Sequence, residues 1–255
     1  MKNTIAVWFS CGAASAIAAK KTIEKYKDTH NILIVNNPIK EEHEDNRRFL
    51  NDVSEWIQYP IIEATNKDYP NASIVEIFDK RKYMSGVLGA PCTMLLKREA
   101  RYQFELSHDI DFHVLGFTIE EWQRQKNFNE RERENTIPVL VSSLITKDDC
   151  FKELRKANIK LPVVYEMGLP NANCIGCVKS SSPTYWNLIR ELFPNVFEQR
   201  SEQSRRIGVR LVKVKGKRIF LDELKTTAKG GKIKSWDCGI FCGAEKAELN
   251  LIRTR

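Results

Sequence analysis

Cysteines are the residues best suited to chemistry here, and their spacing divides them into roles. The 255-residue chain carries seven: Cys11, Cys92, Cys150, Cys174, Cys177, Cys238 and Cys242. In Cys174-Ile-Gly-Cys177 a turn containing glycine brings two thiols together, so that both can aim at one ion. Cys92 opens a segment of helical character, where the helix dipole favours a thiolate. Three sulfurs from two distant segments suit an iron–sulfur centre or a zinc site. Close to the end, "SWDCGIFCG" (235–243) holds Cys238 and Cys242 around another glycine. The odd number and wide scatter speak against a disulfide framework, and "MKNTIAVWFSCGAASAIAAK" does not read as a secretory leader. Cys150 follows Asp148 and Asp149 on a helical stretch and reads as a buried thiol.

A second chemical feature is "SCGAASA" (10–16), which follows the apolar run "TIAVWFS". Small residues let backbone approach an anion, and a helix starting there offers unpaired N–H groups and partial positive charge. Ser10 and Ser15 add hydroxyls. The loop is neither GxGxxG nor a Walker lysine loop, so a tight turn of packed small residues is the alternative. The formal net charge of +8 favours an anionic partner, either a nucleotide or a nucleic acid. No window approaches the roughly 18 consecutive apolar residues of a spanning helix. The expectation is a soluble, cytoplasmic protein with no membrane partner.

The elements that must position these residues alternate. Strand-like runs fall at 4–10, 31–35, 60–65, 112–117 and 136–141, the last being "TIPVLV". Helical periodicity covers 15–26, 45–57 with Asp45 as a plausible N-cap, and 146–159 with Thr146 and Asp149 spaced as a capping box. This order predicts an α/β fold with a doubly wound parallel sheet over residues 1–165. A cysteine-rich extension over 166–255 follows. It comprises helices near 183–206, a basic hairpin at 209–224 turning at Lys215-Gly216-Lys217, a mobile linker "KTTAKGGKIK" and the cysteine tail.

Taken in order, these segments resemble the phosphoadenosine phosphosulfate (PAPS) reductase family of the adenine nucleotide α-hydrolase (PP-loop) superfamily. "SCGAASA" is similar to its S-x-G-x-x-S pyrophosphate loop and "EEHEDNRRFL" to the segment after its second strand. "PCTMLLKREA" resembles a C-T-x-x-x-K element, "GFTIEEWQR" the glycine strand end and substrate loop, "NCIGCVK" the late cysteine pair, and "DCGIFC" the E-C-G-[IL]-H tail. Residues 195–234 have no counterpart there. The resemblance implies an adenine nucleotide held by Ser10, Cys11, Gly12, Ala13, Ser15, Lys97, Gly116 and Arg124. It implies a 4Fe–4S cluster on Cys92, Cys174 and Cys177, with Cys242 or a non-protein group as fourth ligand and zinc as the alternative metal. Where the family keeps its reactive thiol stands Cys238, with Cys242 available to resolve an intermediate.

The implied reaction is reduction of PAPS or adenylyl sulfate. The Cys238 thiolate attacks the sulfate sulfur, nucleotide leaves, and a thiol reductant such as thioredoxin or glutaredoxin frees sulfite. One alternative keeps the fold and changes the chemistry: ATP-dependent sulfur transfer to a nucleobase of tRNA or DNA. The basic hairpin and linker (Lys213, Lys215, Lys217, Arg218, Lys229, Lys232) would then bind the nucleic acid. A non-enzymatic nucleic-acid-binding protein with a structural metal is the remaining alternative.

Overall fold

The computed structural model describes residues 2–86, 89–231 and 233. These form two compact units. Among the described residues, the first comprises 2–38, 42–72 and 99–172, the second 39–41, 73–86, 89–98, 173–231 and 233.

The first unit is built on four parallel strands, β1 (Thr4–Phe9), β2 (Asn31–Asn36), β3 (Ile61–Glu63) and β4 (Phe112–Val114), in the order β3-β2-β1-β4. Central β1 reads TIAVWF with almost no alternation because both of its faces are covered. On one face Ile5, Val7 and Phe9 join the core with α1 (Ala13–Tyr26), α2 (Asp45–Ile57) and α7 (Lys147–Lys156). On the other, Trp8 lies edge-on to Phe104 of α4 (Ala100–Glu105), with ring centroids 6.0 Å apart. The doubly wound α/β architecture therefore holds. The chain steps outward from β1 to β2 and β3, then returns to place β4 on the other side of β1. The strand order thus reverses between β1 and β4, and it is at the carboxyl ends of strands at such a reversal that open α/β sheets bind ligands.

Two local expectations need correction. Residues 136–141 are not a strand: Thr136 makes a single parallel bridge with His113, and Pro138 then leads into the short helix α6 (Val139–Ser142). Asp45 is not the N-cap of α2, a place taken by Glu44. Its carboxylate instead accepts from Arg48 Nε at 2.7 Å and from the Val163 N–H at 2.8 Å. The Thr146–Asp149 capping box of α7 is present, each residue's backbone N–H donating to the other's side chain at 3.0 Å.

In the second unit are α3 (Ile74–Arg81), a π-helix (Thr93–Glu99) that runs on from Cys92 into α4, and the helices α8 (Pro183–Leu192) and α9 (Pro194–Ile207). The helices expected near 183–206 are thus these two, meeting at Phe193-Pro194. A hairpin of β5 (Val212–Val214) and β6 (Lys217–Ile219) turns through Lys215 (φ +46°) and Gly216 (φ +85°), the paired positive φ values of a type I′ turn. The segment expected as a linker is anchored where it is described. The Asn187 Nδ2 group donates to the carbonyls of Lys225, Thr226 and Ala228, and the Gly230 N–H donates to Thr184 Oγ1 at 2.8 Å. Among the described residues no helix is long and apolar enough to cross a membrane.

Candidate nucleotide crevice and cysteine centre

The loop after β1 is held by its own side chains. Cys11 sits at φ +54°, a left-handed conformation unusual for a residue with a Cβ, and its side chain is buried. Asn36, at the end of β2, donates to the Phe9 carbonyl at 2.8 Å and lies 3.6 Å from Cys11 Sγ. Ser15 Oγ is the hub. It accepts from the N–H groups of Ser10 (3.1 Å) and Gly12 (3.3 Å) and from Ser10 Oγ (3.3 Å), and donates to the Gly12 carbonyl at 2.8 Å. The Ser15 hydroxyl therefore shapes the loop, and Ser10, tied to it, is exposed.

Gly116, just after β4, packs against the start of α1. A Cβ there would lie 2.7 Å from the Ser15 nitrogen and 2.9 Å from the Ala14 carbonyl carbon. Only glycine lets this strand end approach the first turn of α1 so closely. The fold thus brings Ser10, Cys11, Gly12, Ala13, Ser15 and Gly116 together.

Arg124, on α5 (Trp122–Arg131), is engaged within its own segment. Its Nη1 pairs with Glu121 at 2.5 Å, and its guanidinium lies 4.8 Å from the Phe117 ring centroid. Burial lowers its pKa against the opposing pull of Glu121. Lys97 lies half-buried on the π-helix of the second unit, a little over one turn from Cys92.

Tyr165 was not singled out from sequence. The Ala13 N–H donates to its hydroxyl at 3.4 Å, and Gly12 lies beside it. Burial pushes the phenol up to about 12, so it remains a neutral O–H at the amino end of α1. Lys147 lies 5.7 Å from the Tyr165 ring centroid and donates to the Pro170 carbonyl at 2.7 Å; burial lowers its pKa. A tyrosine in the loop-and-turn segment "LPVVYEMG" carries no local signal of this contact, which only the tertiary fold creates. Cys150 is fully buried in the core, where burial pushes its thiol up to about 12, as a buried structural thiol requires.

The second unit holds Cys92, Cys174 and Cys177, all buried and none in a disulfide. The Cys174–Cys177 turn is clamped from several directions. The Ile175 N–H donates to the Glu41 carbonyl at 2.9 Å, the Cys177 N–H to Tyr185 Oη at 2.7 Å, and the Ser180 N–H to the Cys177 carbonyl at 3.2 Å. Glu41 also accepts from Ser73 Oγ (2.6 Å) and the Ile74 N–H (2.9 Å), which ties the turn to the start of α3. Gly176 has φ +70°, and a Cβ on it would stand 2.9 Å from Val196 Cγ1. Tyr185 and Trp186 are fully buried against this turn, the latter donating from Nε1 to the Ser180 carbonyl at 2.8 Å. They belong to the core.

Among the described residues, no three or more His, Cys, Asp or Glu side chains are arranged to enclose a metal ion. The donor chemistry fits a sulfur-bound group nonetheless. All three thiols act electrostatically on Arg200, a fully buried guanidinium whose Nε and Nη2 have no hydrogen-bond partner. A buried cation with unused donors beside three thiols is suited to an anionic, thiolate-ligated group. Lys232, Cys238 and Cys242 lie outside the described residues.

No family model matches the chain, and no curated protein matches it. Among solved structures, the chain is similar to the U34-tRNA thiolase NcsA from Methanococcus maripaludis with its [4Fe-4S] cluster. The identity is 14%, the TM-score 0.47, and the match covers 84% of this chain and 75% of that one.

Proposed function

We propose that the chain is an adenine-nucleotide-dependent enzyme that replaces a nucleobase carbonyl oxygen by sulfur in a nucleic acid. The observation that carries this reading is the basic hairpin and its attachment. Lys213, Lys215, Lys217 and Arg218 are all exposed, and none takes part in an ion pair among the described residues. Its Lys213 N–H donates at 2.9 Å to the Ser181 carbonyl, on the loop that follows Cys177. Within one compact unit, a surface suited to a phosphate backbone is thus fastened to the cysteine-bearing segment. Lys213 and Arg218 also stand directly opposite each other across the ladder, a like-charge pairing that costs stability and that function would explain.

In this reading the crevice at β1 and β4 takes ATP, its phosphates at the amino end of α1 and the Tyr165 hydroxyl donating to a phosphate oxygen. The base oxygen attacks the α-phosphorus as pyrophosphate leaves. Hydrosulfide then forms the C–S bond while the C–O bond breaks, and AMP departs with the oxygen. Cys92, Cys174 and Cys177 would hold a 4Fe–4S cluster, which when bound supplies an iron position at which sulfur can be held. Three thiols that act on one buried cation suit an anionic cluster with a non-cysteine position better than a structural zinc, which takes four protein ligands.

The test incubates anaerobically reconstituted protein with ATP, sulfide and RNA or DNA. AMP formation that depends on the nucleic acid, with sulfur appearing in it, is expected. Salt-sensitive binding without AMP would leave a binding protein only. Reduction of a sulfonucleotide uses the same crevice and rests on Cys238. Sulfite released from PAPS or adenylyl sulfate with a dithiol, and no nucleic-acid-dependent AMP, would put that reaction in place of thiolation.

A further inference from the structure

Arg200 has an environment that ordinary folding does not explain. It lies on α9, whose sequence PNVFEQRSEQSRRI is largely polar, yet its side chain is fully buried. One nitrogen is used: Nη1 donates to Gln203 Oε1, and Gln203 in turn donates to the Val75 carbonyl at 2.9 Å. One face rests on Phe78, with 5.2 Å from guanidinium carbon to ring centroid. Nε and Nη2 are buried and donate to nothing. Nε stands 4.0 Å from the point where a Gly176 Cβ would be, so the guanidinium borders the turn joining Cys174 to Cys177. The carboxylate of Glu41 is near enough to act on it, but Glu41 spends its oxygens on Ser73 and Ile74 and makes no ion pair with it.

We infer that Arg200 is a positioning residue for the sulfur-ligated centre: its Nε–H and Nη2–H donate to the sulfurs of a group bound by Cys92, Cys174 and Cys177, and its charge offsets theirs. This rests on the proposal that those cysteines hold an iron–sulfur cluster. A buried guanidinium with two idle donors is costly alone, and deprotonation is not open to it. Thiolates and sulfides beside it remove the cost, since charge-assisted hydrogen bonds are strong in a dry surrounding. The same contacts tune the centre: a fixed positive charge and N–H···S bonds favour the form carrying one more electron, so they raise the reduction potential. Arginine fits better than lysine because its fork presents two donors along a fixed edge while Nη1 stays with Gln203.

The test compares full-length wild type with Arg200→Met and Arg200→Lys, reconstituted anaerobically with ferrous iron and sulfide. Iron and acid-labile sulfide per chain are measured, with the midpoint potential by redox titration and the melting temperature of the apo forms. R200M should make cluster reduction at least tenfold less favourable, about 59 mV lower for one electron, and lose cluster at least tenfold faster to a chelator. R200K should fall between the two. Apo R200M should melt no lower than apo wild type, because an unpaired buried charge has been removed. Equal potential and equal cluster retention in all three proteins would overturn the inference. So would a fall in apo melting temperature in R200M with cluster per folded chain unchanged, since Arg200 would then serve the fold alone. Wild type that takes up no iron and sulfide would instead sink the cluster proposal itself.

Discussion

Glycines and one tyrosine make the sharpest residue-scale tests, because each meets a contact only its own shape allows. Gly116→Ala would drive a methyl into the backbone of α1. It should cost about 1–3 kcal/mol and abolish nucleotide binding, checked by denaturant melts and calorimetric titration with ATP. Gly176→Ala combines a left-handed φ with a collision against Val196. The backbone alone costs about 1–2 kcal/mol, and iron retention after reconstitution should fall with it. Tyr165→Phe should leave the melting temperature within a few degrees of wild type and weaken nucleotide binding by about 0.5–1.5 kcal/mol, read by the same titration. The glycines were legible in sequence because glycine at a strand end or between two cysteines has few reasons to be there. Tyr165 and Arg200 were not. A tyrosine after "LPVV" and an arginine in a polar helix are ordinary locally, and only residues distant in sequence make them special.

At the scale of elements, the hairpin opposes stability to binding. Arg218→Thr removes the like-charge pair facing Lys213 and places a β-branched residue in the strand. Stability should rise by about 0.2–1 kcal/mol while affinity for RNA or DNA falls, measured by chemical denaturation and by filter binding on the same variant. A rise in both would remove the hairpin from the binding surface. Elements with long, clear periodicity were readable: α1, α2 and α7 lie where apolar spacing placed them, and the capping box of Thr146 is a local pattern that needs no tertiary help. The run "TIPVLV" misled because a short apolar run fits a strand and a buried helical turn equally well, and Pro138 tips it toward the helix. The π-helix after Cys92 could not be read, because its wide turns have no periodicity that sequence patterning detects.

For the whole molecule, one side chain of the central sheet makes stability fall in mild acid, above the range where carboxylates titrate. His113 is buried between Trp8, whose Nε1 donates to Nδ1 at 3.1 Å, and Arg133, whose Nη1 lies 3.0 Å from Nε2. A second ring proton would set N–H against N–H on both sides. Burial first, and then Arg133 and Arg101, lowers its pKa to about 3. An unfolded histidine titrates near 6.5, so between those values the unfolded chain binds the extra proton. The contribution of His113 to stability is therefore full above about 6.5 and declines toward pH 3. Urea midpoints should fall between pH 7.5 and pH 5, and His113→Gln should flatten that dependence. Binding to nucleic acid should weaken with salt, the log–log slope shrinking by about 0.7–0.9 for each hairpin cation that is lost. A last consequence follows from Glu41, which joins the start of α3 to the Cys174–Cys177 turn. On the ribosome, Glu41 emerges long before the turn it meets, and contacts so far apart along the chain close late. Until then the carbonyl and carboxylate of Glu41 are met by water, and the Cys174–Cys177 turn takes its shape as one of the final acts of folding.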